Sequence, residues 1–230
     1  MIKEFNIDVP MTLSAIKLQQ YIDWMSILDK YKEDKRDDTE YLKVKMLQIF
    51  CNLSVSDTYQ IPLNNFDYIL DHINSLFVDD NKLIETFTLV DDKDVSIEFG
   101  FIPELDKMTF GEYVDLDKYI NDFKLYDKAM AVLFRPKTNI IGGRYKVEEY
   151  KGSSKFSKHM KDMPVDVALG AVSFISRLQN KLVKHIIHSS QQVTLVALQQ
   201  AYKLTSEEST DGFKAYTLLL KKTQLESMMQ

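Results

Sequence analysis

The stretch FGFIPELDKMTFGEYVDLDKYI, from Phe99 to Ile120, indicates the class of the fold, because the spacing of its apolar residues changes halfway along from that of a strand to that of a helix. Its first residues end the β-rich run VSIEFGFIP, which the polar connection DDKD separates from the earlier run LIETFTLV. Two β-rich runs around a short polar connection are typical of a hairpin. From Thr109 onward the apolar residues recur at helical spacing. That helix is predicted to turn four side chains toward the core: Phe110, Tyr113, Val114 and Leu116.

Helical patterns flank the hairpin on both sides. Before it, we predict a short strand in KEFNIDVP and helices in TLSAIKLQQYIDWMSILDKYK, TEYLKVKMLQIFCNL and LNNFDYILDHINSLF. After it, we predict a helix in YDKAMAVLFRP that stops at Pro136, a second hairpin around Gly142 and Gly143, and helices from Pro164 onward. The predicted fold class is therefore α+β, helix-dominated, with a small antiparallel hairpin or sheet region in the middle of the chain.

Composition favours one domain. No stretch of the 230 residues is rich enough in Gly, Pro or Ser to be a clear linker. We therefore predict a single integrated domain over residues 1–230, with a helical part at about 1–80, a β-containing middle at about 83–150 and a helical part at about 151–230. The single cysteine excludes an internal disulfide. No signal sequence or membrane-spanning run is recognisable, so we expect synthesis in the cytoplasm and no membrane contact.

Charge is distributed unevenly along the chain. The net charge of −5 combines +5 over residues 151–230, with 11 Lys and Arg against 6 Asp and Glu, and −10 over the remainder. An acidic body with a mildly basic final third suits head-to-tail self-association or docking on an acidic partner. The alternative is that acids and bases simply lie on different helices.

The acidic residues of the opening stretch raise the question of a catalytic site. If Thr109 caps the helix, Glu112 occupies the capping-box position. Asp115 lies in the early part of the helix, where the helix dipole favours negative charge. Asp115 and Asp117 are two residues apart and so face different directions. We interpret the cluster as helix capping and a solvated surface, not as a catalytic pair.

Other candidate sites are incomplete. His185 and His188 are spaced for a shared metal, but no further ligand accompanies them. GSSK and GGR lack the phosphate-loop pattern, and Cys51 resembles a core residue. Three lysines at spacing three form only a weak basic patch: Lys155, Lys158 and Lys161. We therefore predict no catalytic residue, no metal, no cofactor and no specific nucleic-acid binding. An enzyme or nuclease is the remaining alternative, with acids assembled by the fold: Asp71, Asp166 and Glu148.

Two apolar segments are candidates for contact between subunits. The hairpin IIGGRYKV places apolar residues at a predicted surface tip: Ile140, Ile141 and Tyr145. The alternative is that these side chains fold back onto their own core. The segment YTLLLKKTQLESMMQ contributes a second set: Leu218, Leu219, Leu220, Leu225 and Met228.

The central part of the chain resembles a family of small proteins of tailed bacteriophages, crAss-like phages in particular. The resemblance lies in GFIPELDKMTFGEYVDLDKYI, YDKAMAVLFRP, RYKVEEYKGS and MPVDVALGAVSFI. It implies a non-enzymatic structural protein of the virion, made in the bacterial host cytoplasm and located in the head–tail connector or tail. Its implied partners are copies of itself in a ring, roughly twelve-fold by analogy with phage connectors, and other head–tail or tail proteins. The alternative within the resemblance is a tail assembly chaperone that is absent from the mature virion.

Overall fold

The computed structural model describes residues 6–35, 37–78, 82–91, 93–141 and 144–189, with side chains described except at 139–141, 144 and 182–189. Helices predominate, and a four-stranded antiparallel sheet of order β1-β2-β3-β4 lies in the middle of the chain, which confirms the predicted α+β class. The helices are α1 (Leu18–Glu33), α2 (Thr39–Phe50), α3 (Val55–Thr58), α4 (Leu63–Leu76), α5 (Phe110–Ile120), α6 (Tyr126–Leu133), α7 (Ser157–Met160) and α8 (Val165–Ser189). The strands are β1 (Thr86–Val90), β2 (Ser96–Phe101), β3 (Phe134–Ile141) and β4 (Arg144–Val147).

The first helix begins later than the sequence predicts. Lys17 is extended and pairs with Pro164, and the amide of Leu18 donates to the carbonyl of Met163 at 2.8 Å. This contact with a distant segment holds the chain extended before α1. The predicted strand in KEFNIDVP is also wrong where it is described, since residues 6–10 have no regular structure.

Helices α1, α2 and α4 enclose one hydrophobic cluster, the bundle core. Helix α2 begins at Thr39, as predicted, and Asp38 caps it by accepting the amide of Tyr41 at 3.1 Å. The apolar face of α4 supplies Ile69, Leu70 and Ile73, as its helical spacing predicts. The buried members of the bundle core are Ile16, Met46, Leu47, Phe50, Cys51, Ile69, Leu70, Ile73 and Val165.

The sheet packs one face against helices through aromatic side chains, which form the centre of a second cluster, the sheet core. Phe99 and Phe101 alternate along β2, and Phe134 begins β3 opposite Phe101. Their rings contact those of Phe87 and Phe174 at centroid distances of 5.3–5.7 Å. Rings in tilted or offset contact at this spacing stabilise a core beyond their buried area. Aromatic rings therefore form the centre of the sheet core, whose other buried members are aliphatic or methionine side chains.

Pro136 does not end a helix. Helix α6 stops at Leu133, and Pro136 lies in β3 opposite Phe99. Strand β3 pairs with β2 only over residues 134–136, and its pairing with β4 is irregular between Lys137 and Asn139. A proline lacks the amide that a continuous inner strand needs, so it fits where the pairing changes from one neighbour to the other.

Helix α8 contributes to both clusters. Val165 belongs to the bundle core, whereas Val167, Ala168 and Ala171 belong to the sheet core. The helix predicted from Pro164 is confirmed as far as Ser189. Residues 190–230 lie outside the described residues, so the single-domain boundary of 1–230 stays a prediction.

Candidate functional site

The acidic stretch of α5 begins with the predicted capping box. The hydroxyl oxygen of Thr109 accepts the amide of Glu112 at 3.3 Å, and Glu112 Oε2 accepts the amide of Thr109 at 2.6 Å. The Thr109 hydroxyl also donates to Glu112 Oε2 at 2.7 Å. The carboxylate of Glu112 therefore caps the start of its own helix, as the sequence predicts.

A buried ion pair adds a second role to Glu112. Its Oε1 lies 2.7 Å from a terminal guanidinium nitrogen of Arg135 on β3, and the two side chains are only 6% and 7% exposed. The predicted capping role of Glu112 is confirmed, whereas its burial against Arg135 was not expected from the sequence. Burial of the carboxylate is tolerated because the guanidinium compensates its charge.

Tyr150 and Asp115 extend this ion pair into a network. The guanidinium of Arg135 lies 5.8 Å from the centre of the Tyr150 ring, within the range of a cation–π contact. The Tyr150 hydroxyl donates to Asp115 Oδ2 at 2.5 Å, and burial together with this hydrogen bond raises the pKa of Tyr150. Each of these acids has a structural partner. Glu112 and Asp115 therefore have structural contacts, and the non-catalytic interpretation of the cluster stays a prediction.

The inward face of α5 differs from the predicted one. Glu112, Leu116 and Ile120 are buried, whereas Phe110 is 81% exposed and Val114 is 44% exposed. Leu116 was predicted correctly and the two exposed residues were not. Phe110 and Val114 are one helical turn apart, so they form an apolar pair on the surface.

Two more exposed apolar side chains lie near the start of α4. Tyr59, directly after α3, is 74% exposed, and Leu63 at the first position of α4 is 71% exposed. Single exposed apolar residues are ordinary on protein surfaces, but neighbouring large ones mark contact sites more often. Phe110, Val114, Tyr59 and Leu63 are candidate interface residues that were not singled out from the sequence.

The β3–β4 hairpin is confirmed in its backbone, with Ile140 opposite Tyr145 and Ile141 opposite Arg144. The side chains of Ile140 and Ile141 are not among those described, so their role at an interface stays a prediction. Tyr145 contacts its own sheet, because its hydroxyl donates to the carbonyl of Phe101 at 2.9 Å. A β-carbon at position 100 would lie 2.5 Å from the Tyr145 ring, so this contact requires Gly100. Tyr145 thus matches the folded-back alternative.

The other predicted interface segment falls outside the described part of the chain. It comprises Leu218, Leu219, Leu220, Leu225 and Met228. The side chains of His185 and His188 are likewise not described. Among the residues that are described, no group of three or more His, Cys, Asp and Glu side chains could hold a metal ion. The candidate acids of the enzyme alternative lie on different elements: Asp71 on α4, Asp166 at the start of α8 and Glu148 after β4.

The lysine patch and the cysteine have structural explanations. Lys155 pairs with Glu148 and lies 4.8 Å from the centre of the Phe156 ring. Helix α7 covers only residues 157–160, so the three lysines do not share one continuous helical face. Burial raises the pKa of Cys51 to about 11. A thiol in that environment is largely protonated at neutral pH and is a poor nucleophile.

An open groove of about 580 Å³ lies between α1, α2 and α4. Its apolar lining includes Trp24, Leu42, Met46 and Leu70, and Trp24 contacts Phe50 edge-on at 6.1 Å. Along α4 it is bordered by two exposed carboxylates, Asp67 and Asp71. On the α2 side, Lys43 is held by Glu40 at 2.8 Å. The groove therefore combines an apolar floor with an acidic border.

Comparison with family models, with curated proteins and with solved structures finds no match to this chain. In the described residues, no helix is both long enough and apolar enough to cross a membrane.

Proposed function

We propose that this chain is a non-enzymatic structural protein of a tailed-phage virion, whose copies form a ring in the head–tail connector or tail. The phage context comes from the sequence resemblance described above. The observation that carries a structural role is the apolar surface of the described residues, above all Phe110 at 81% exposure and Leu63 at 71%. Side chains of this size are a liability on a free protein and are stabilised when a neighbouring subunit covers them.

Two features of the sequence support association between copies. Residues 1–150 are net acidic and residues 151–230 are net basic, which would suit a contact between a negative surface of one protomer and a positive surface of the next. A contact between two different surfaces of identical subunits closes a ring when the rotation between them is suitable. The segment from Tyr216 to Gln230 adds further apolar side chains, including three consecutive leucines.

Quantitative mass spectrometry of purified virions tests the proposal. We expect the protein in virions freed from cell debris, at a fixed copy number that matches a ring. Its presence in infected cells but absence from virions would instead support a tail assembly chaperone. Activity that depends on a divalent metal and is lost on replacing Asp71, Asp166 or Glu148 would support the enzyme alternative.

The apolar pair of α5 gives a test on the isolated protein. Replacing Phe110 and Val114 by serine should weaken self-association in sedimentation velocity while the unfolding midpoint changes little, because both side chains are exposed. The matched control replaces Val90 and Val95 on the β1–β2 hairpin, which are also exposed. If both variants lose association equally, exposed apolar side chains promote association in general, and α5 does not form a specific contact.

The β3–β4 hairpin and the chain end have their own variants. Replacing Ile140 and Ile141 by aspartate should abolish assembly and leave the monomer folded. If the monomer unfolds, these side chains belong to the core. Deletion from Lys214 onward should also weaken assembly, and an unchanged assembly would exclude that segment from the interface.

A further inference from the structure

We propose that the groove between α1, α2 and α4 binds the segment Tyr216–Gln230 of a second copy of this chain. The inference rests on the proposed function only in requiring that copies associate. It identifies which surface receives the segment and which charges select it.

Chemical complementarity is the first argument. The segment contains the apolar run YTLLL followed directly by Lys221 and Lys222, with Glu226 as its only acidic residue. The groove offers an apolar lining and, along α4, the carboxylates of Asp67 and Asp71. An apolar run with adjacent lysines can place its leucines on the partly exposed Trp24 and Leu42 while its charges meet those carboxylates. Such matching of charge around an apolar contact gives specificity and faster association.

The length of chain after α8 allows a neighbouring copy to deliver the segment. Residues 190–215 lie between Ser189, where α8 ends, and Tyr216. An extended chain spans at most about 3.6 Å per residue, so these residues can reach roughly 90 Å. That reach is enough for the segment of one copy to contact the groove of the next. The opposite net charges of residues 1–150 and 151–230 favour such a contact between copies.

A charge-reversal mixing experiment on the full-length chain tests this assignment. The groove variant carries Asp67→Lys and Asp71→Lys, and the segment variant carries Lys221→Glu and Lys222→Glu. Each variant alone opposes like charges, so we expect association at least about tenfold weaker than for the unaltered chain. In an equimolar mixture, the groove of each variant meets the segment of the other variant, and both of these contacts join opposite charges. Association should therefore return. The control variant, Asp106→Lys with Glu149→Lys, carries the same charge change as the groove variant at exposed positions away from the groove.

Two readouts follow the mixture. Sedimentation velocity reports association, and fluorescence reports occupancy because Trp24 in the groove is the single tryptophan of the chain. We expect a blue shift of its emission on mixing, relative to the sum of the separate variants. Raised ionic strength should weaken the restored association, since exposed charges are screened.

Several outcomes would overturn the assignment. It fails if the mixture stays monomeric, if the control variant loses association as strongly as the groove variant, or if association returns without any change in Trp24 emission. It also fails if a variant carrying all four substitutions restores the emission as a monomer, because the segment then binds its own protomer. If a lysine variant unfolds, Asp67→Asn with Asp71→Asn replaces it, and association must then lose its salt dependence. Absence from virions with successful mixing would refute the role in the virion and leave the groove assignment intact.

Discussion

Replacing Arg135 by methionine should cost about 3–5 kcal/mol of unfolding free energy, because it leaves the Glu112 carboxylate buried without its counter-charge. The two side chains are 7% and 6% exposed and lie 2.7 Å apart, so solvent screens the pair little. With charge centres about 4 Å apart and an effective dielectric constant of about 20, Coulomb's law gives about 4 kcal/mol. A domain with a typical stability of about 5–15 kcal/mol would lose a large share of it.

Urea unfolding of four proteins measures this effect: the unaltered chain, Arg135→Met, Glu112→Gln and the double variant. Glutamine keeps an acceptor for the Thr109 cap, so Glu112→Gln removes mainly the charge. We expect the double variant to be more stable than the sum of the two single losses predicts, by about 1–3 kcal/mol. A loss below about 1 kcal/mol for Arg135→Met, or strict additivity, would refute the reasoning that the buried charges depend on each other.

Two further substitutions, each with a matched control, probe the titration of a buried tyrosine and the packing around Gly170. Burial raises the pKa of Tyr126 to about 12, so its neutral form stabilises the fold below about pH 10 and that contribution is lost as pH rises toward 12. Tyr126→Phe should therefore flatten the fall in unfolding midpoint over this range, whereas Tyr68→Phe at an exposed position should not. A β-carbon at Gly170 would lie 2.2 Å from the carbonyl oxygen of Lys82, so Gly170→Ala should cost about 1–3 kcal/mol. Gly111→Ala has open space in α5 and should stabilise by up to about 1 kcal/mol, and an equal effect at both glycines would contradict this.

Local signals in the sequence predicted much of the secondary structure. The Thr109–Glu112 capping box, the β1–β2 hairpin and the helix after Pro164 all follow from residues within a few positions of each other. The sequence also offered Asp38 as the cap of α2, because aspartate directly before a helix is among the most favoured caps.

The packed face of α5, the buried ion pair and the groove could not be predicted from the sequence, because they depend on contacts between distant residues. Two faces of α5 compete: Phe110 and Val114 suggest one, whereas Leu116 and Ile120 form the one that packs. The second face also carries Glu112, and its burial depends on Arg135, which only the fold brings near. The groove is equally non-local, since its lining comes from three helices. An arginine within an otherwise apolar run, LFRP, was the available signal for a buried partner.

The short pairing between β2 and β3 has a consequence for the order of folding. Each hairpin joins residues that are close in sequence and can form within about 1–10 µs. The pairing of β2 with β3, here called the seam, joins the two hairpins through only three residue pairs. It brings Phe101 opposite Phe134, and α5 and α6 lie between these residues in the sequence. Closing this connection costs chain entropy before the aromatic contacts compensate it. We therefore expect the seam to form after both hairpins, and substitutions there to act mainly by speeding unfolding.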